Sequence, residues 1–106
     1  MVKVKIAGRD YPAEGNFNTV CAFLKAVGRD TMEGLVNIAD LRPSDYTELV
    51  AAAVNEGMRL DGSEARLSGQ DVGASPDAFN EIPAAVAAIF GELSPGRQTA
   101  PTAKKK

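Results

Sequence analysis

The 106-residue chain has no histidine and a single cysteine, Cys21. Nucleophilic catalysis of the triad kind needs a base beside the nucleophile, and the usual base is histidine. One cysteine and no histidine exclude a Cys/His zinc site. Cys21 has no partner for an internal disulfide, which suits a reducing compartment. An excess of one charge is also lacking. The formal net charge is -2 and the sequence pI is about 5.1. A dedicated nucleic-acid domain shows a basic face or a high pI, so nucleic acid is excluded as a main partner. No apolar run approaches the ~20 residues of a membrane helix. Residues 1–6 alternate and lack the apolar centre of a signal peptide. A cytoplasmic protein with no membrane partner and no cofactor is the expectation.

What is present is ordinary globular composition, 44% apolar and 25% charged. A chain of this size buries roughly 60–70% of its unfolded surface, enough for one modest core. Val2, Val4 and Ile6 alternate with Lys3, Lys5 and Ala7, the pattern of a half-buried strand. Gly8-Arg9 falls where a two-residue hairpin loop belongs, and glycine in first place predicts a type II′ turn. Residues 10–13 form a short return strand, and Pro12 makes it an edge or ends it.

Phe17, Val20, Cys21, Leu24 and Val27 then recur at helical spacing. Asn16 or Asn18 caps this helix and Gly28 follows its end. Its stripe is expected to lie on the hairpin. Phe23 lies off that stripe, so it either widens the buried face or remains on the surface. Asp30 and Glu33 suggest a capping box before a short helix through Leu35 and Val36. Pro43 suits the first turn of a long helix whose stripe is Tyr46, Leu49, Val50, Ala53 and Val54 and which Gly57 ends. Residues 58–75 are irregular, with one helical turn opening at Ser68. Ser75-Pro76 opens the last helical region, where Pro83 predicts a kink or a break near residues 80–82. Ile82, Val86, Ile89, Phe90 and Leu93 hold one face of it. The fold class is therefore α+β, an N-terminal β-hairpin packed on a small bundle of three to five helices. Residues 1–93 form a single domain, and 94–106 a disordered Pro/Thr/Lys tail.

Little in this chain carries chemistry. The acids sit at helix starts and on polar faces, where the helix dipole accounts for them. Gly69 and Gly73 have the spacing of a helix-packing pair, but no apolar membrane segment surrounds them. Residues 61–64 depart from a calcium loop, which needs acids at alternate positions and a closing glutamate. No catalytic, cofactor-binding or metal-binding residue is assigned, and an enzyme is not expected. Exposed aromatic residues would be interface candidates. Lys104, Lys105 and Lys106 form either a solvated tail or a weak, salt-sensitive phosphate contact.

The order of elements resembles a known family. A hairpin over residues 2–11 leads into a helix over 17–28. A short segment, residues 32–41, precedes a helix opened by Pro43, and residues 79–90 close the fold. Over about residues 1–93 this is similar to the tail assembly chaperones of long-tailed bacteriophages and prophages. The resemblance implies a chaperone of virion morphogenesis in the host cytoplasm. It would bind the tape measure protein, and the tail tube protein as a further partner, and would form a homo-oligomer. It carries over no site residues. An amphipathic partner helix would need a groove, which helices over 43–56 and 76–93 are expected to supply. The candidate partner-binding residues are Tyr46, Leu49, Val50, Phe79 and Phe90. The resemblance also implies a frameshift region at Lys104, Lys105 and Lys106, since consecutive lysine codons are A-rich. A structural head–tail connector or minor tail protein is the alternative, and a small bacterial protein-binding adaptor a further one.

Overall fold

A computed structural model describes residues 1–93. The expected tail and the candidate frameshift lysines Lys104 to Lys106 lie outside the described residues. Strand β1, Val2–Ile6, pairs antiparallel with β2, Arg9–Ala13, in the register Val4 to Tyr11 and Ile6 to Arg9. This sets Val4, Ile6 and Ala13 into the core and leaves Lys3 and Lys5 outside. The loop is Ala7-Gly8, one residue earlier than expected. Both residues have positive φ, 56° and 77°, so the turn is type I′ and not II′.

Five helices follow: α1 Phe17–Ala26, α2 Met32–Val36, α3 Pro43–Leu60, α4 Gly69–Gly73 and α5 Ala78–Leu93. The fold is thus an N-terminal hairpin packed against a helix bundle. Helix α3 packs on β2 and α5 on β1, while α1 packs on α3 rather than chiefly on the hairpin as expected. Asn16 caps α1 by accepting from the Thr19 backbone at 3.0 Å. The buried face of α1 is Thr19, Val20, Phe23 and Leu24. Phe23 is fully buried, while Phe17 and Cys21 are exposed, so the expected stripe is rotated. The cause is α3: a helix turns its best-packing face toward its neighbour, and here that face centres on Phe23.

Thr31, not Asp30, caps α2. Pro43 opens α3 as expected, but Gly57 does not end it. A Cβ on Gly57 would lie 2.5 Å from the Pro12 carbonyl oxygen. The glycine is there because α3 crosses β2 in contact with its backbone. Ser68 caps α4, with Asp71 reaching back to the Ser68 backbone in a reciprocal box. Helix α5 runs through Pro83 without the expected break. Proline removes one bond, to the carbonyl of Phe79. Phe79 is almost wholly exposed, so water can take that carbonyl, and the packed turns on either side hold the helix.

Candidate functional site

Helix α5 carries two adjacent apolar faces. One holds Ala85 and Ile89, with Glu81 and Glu92, and is buried against the hairpin and α3. The second, turned by about a quarter to a half of the helix circumference, holds Phe79, Ile82, Val86, Phe90 and Leu93. Its members other than Phe79 are only half-buried. Phe79 is 96% exposed, the most exposed large apolar residue among those described.

Beside Phe79 lies an open groove of about 410 Å³. Pro43, Tyr46 and Thr47 of α3 form one wall, and Phe79, Ile82 and Pro83 of α5 the other. The α4–α5 connection closes one end, through Gly73 and Ser75. Neither wall carries an acidic or basic side chain.

Buried carboxylates hold both walls in place. Glu81, on the opposite side of α5 from the groove, accepts from the backbone N–H groups of Ala7 and Gly8, both at 2.9 Å, and from Ser75 Oγ at 2.6 Å. Three donors satisfy the charged form, so the Ser75 hydroxyl and then the Gly8 amide hold its carboxyl below the usual range. This fastens the start of α5 to the hairpin turn. At the start of α3, Asp45 accepts from the Arg42 backbone at 3.0 Å and from Arg29 at 3.2 Å. Farther along α3, Glu56 binds Arg59 at 2.8 Å and accepts from Asn16 and Asn18 at 2.8 and 3.0 Å. The Arg59 guanidinium, helped by the two asparagines, outweighs burial and lowers the Glu56 carboxyl to about 2. Glu92 accepts from the Gly15 backbone at 2.6 Å. These four acids are buried and held by specific donors, not spread on polar faces where the helix dipole alone would account for them.

The five candidate partner-binding residues separate. Tyr46 and Phe79 line opposite walls of the groove. Leu49 and Val50 have no exposed surface and belong to the core, so they are removed from the candidate site. They sit on the core-facing side of α3, and helical spacing alone does not distinguish that side from its neighbour. Phe90 is half-buried on the second stripe of α5, about 16 Å from Phe79 at 1.5 Å per residue, and packs against the core. Pro43, Ile82 and Pro83 were read only as helix signals or core positions. The cue was there, because Phe79, Pro83, Val86 and Phe90 fall at i, i+4, i+7 and i+11, a second stripe beside the first.

No family model matches this chain, no curated protein matches it, and no solved structure matches it. Nothing in the comparisons ties the chain to bacteriophage, prophage or tail morphogenesis. Those descriptors are corrected to what the structure shows, a small α+β fold with an apolar groove. No helix among the described residues is long and apolar enough to cross a membrane.

Proposed function

We propose that this domain is a non-catalytic protein-binding module that holds an amphipathic helix of a partner in the groove between α3 and α5. The observation that carries this is Phe79, 96% exposed at the lip of an apolar groove whose walls are fastened by buried carboxylates. Leaving a phenylalanine in water forgoes about 1.5–3 kcal/mol of burial, and no packing within the described residues recovers it. A partner helix would bury Phe79 between Tyr46 and Ile82 and continue along Val86 and Phe90, over about three turns. Helix-in-groove recognition uses such i, i+3, i+4, i+7 anchors, with rigid aromatic residues at the centre.

The test is a co-purification from the source cells with the tagged chain and its Phe79→Asp variant, the bound proteins being identified by mass spectrometry. A partner with an amphipathic helix should come down with the native chain. Its recovery should fall at least about tenfold with the variant, the loss expected when a central anchor is removed. Equal melting temperatures confirm that the variant is folded. A partner recovered equally with both chains would move binding away from the groove.

A further inference from the structure

The hairpin is a two-stranded sheet, so each strand has one edge that the other does not cover. In a hairpin closed by a two-residue turn, the residues flanking the turn exchange both ladder bonds. Ile6 and Arg9 are that pair, and alternation makes Val4–Tyr11 and Val2–Ala13 the further bonded pairs. The backbone groups of Lys3 and Lys5 therefore point away from β2. Pro12, which faces Lys3 and has no N–H, sits on the corresponding outward position of β2, which agrees with this assignment.

The two outer edges differ. That of β2 is covered: the Pro12 carbonyl lies against Gly57 of α3, and Glu14 just beyond it donates to the Ala53 carbonyl at 3.0 Å. That of β1 borders an open groove of about 370 Å³. Lys3 and Lys5 form one side and Asn80, Ala84 and Ala85 of α5 the other. Among the described residues, no further hydrogen bond engages the backbone of Lys3 or Lys5. This groove lies on the side of α5 away from Phe79.

We infer that the free edge of β1 is a strand-addition site for an extended segment of a partner protein, with an acidic residue beside Lys3 and small apolar residues over Ala84 and Ala85. An added strand would take two N–H and two C=O groups from Lys3 and Lys5 and turn its side chains alternately to the two faces. On the outer face, Lys5 already pairs with Asp10 at 3.1 Å, whereas Lys3 has no ion-pair partner among the described residues. Opposite charges across neighbouring strands are favoured and like charges are not, so an acid belongs at Lys3. On the helix-facing side, Asp77 and Glu81 border the groove, which disfavours an acid there. Ala84 and Ala85 offer a small uncharged surface there, which suits a small apolar side chain.

The probe is a short capped peptide of alternating valine and glutamate, added to the uniformly ¹⁵N-labelled protein. At saturation the Lys3 and Lys5 amides should shift and exchange at least about tenfold more slowly, while amides lining the Phe79 groove are unmoved. The same peptide N-methylated at alternate residues cannot complete the ladder and should give no protection. A lysine-for-glutamate peptide should bind several-fold more weakly. Lys3→Pro removes an outward donor without touching the hairpin ladder and should abolish binding, whereas Lys3→Ala should only weaken it. The inference is overturned if the N-methylated peptide protects as well as its parent. It is overturned equally if Lys3 and Lys5 are unmoved, or if their amides are already slow to exchange in dilute protein without peptide.

Discussion

Helices α3 and α5 carry apolar residues at the same helical spacing and have nearly the same length, yet they end up in different situations. Beyond Tyr46, which lines the groove, the stripe of α3 is consumed by the core: Leu49, Val50, Ala53 and Val54 have no exposed surface. It is covered by β2 on one side and by α1 and α5 on others. Helix α5 has more apolar surface than its neighbours can cover. Ala85 and Ile89 are buried, while Ile82, Val86 and Phe90 are half-buried and Phe79 is exposed. An apolar stripe becomes core or docking surface according to how many elements lie against it, not according to its period.

Substitutions of one chemical kind on the two helices should separate them. Leu49→Ala should lower stability by about 2–5 kcal/mol, the range for removing a leucine from a closed core. Urea unfolding measures it, and a loss under ~1 kcal/mol would show that α3 is not the closed wall described here. Next is Gly57→Ala. In an exposed helix interior alanine is favoured over glycine by about 1 kcal/mol. At Gly57 the added methyl meets the Pro12 carbonyl, so the sign should reverse to a loss of about 1–3 kcal/mol by overpacking.

Glu56 gives a pH test of its pair with Arg59 and, secondarily, of its contacts with Asn16 and Asn18 at the start of α1. Its folded pKa of about 2 is below the ordinary 4.5. The stabilisation is therefore complete above pH 4.5 and is lost as pH falls toward 2. Arg59 is half-exposed and solvent screens the pair, so the contribution is roughly 1–2 kcal/mol. Glu56→Gln should lower stability by that amount at neutral pH and flatten the decline of the melting temperature between pH 4.5 and 2. An unchanged acid profile would assign the decline to other carboxylates. The smallest change in stability belongs to α5. Phe79→Ala should stay within about 0.5 kcal/mol, as surface substitutions do. A loss near that of Leu49→Ala would mean that Phe79 is covered in solution and would erase the contrast.

Several elements are legible in the sequence. The alternation over residues 2–6, Pro43 at the start of α3 and Ser68 with Asp71 at α4 are local signals with local causes, and the structure keeps each of them. The errors share another origin. The turn moved by one residue because a type I′ geometry needs positive φ at both central positions, and the pairing register of the strands set those at Ala7 and Gly8. Gly57 looked like a helix end because its tertiary reason, contact with β2, leaves no mark on its neighbours. Of the five candidate residues, two, Tyr46 and Phe79, line the groove; Leu49 and Val50 are sealed in the core and Phe90 is half-buried beyond the groove.

The sequence by itself determined the α+β class, the order of elements and the caps at Asn16 and Ser68, because these rest on interactions within a few residues along the chain. Tertiary structure alone decided that Phe23 enters the core while Phe17 stays outside, and that β2 is covered while the edge of β1 is left open. It also decided that one of two apolar stripes on α5 is buried. Each of these depends on which surfaces meet across long separations in sequence, and burial is a property of the pair of surfaces rather than of the residue.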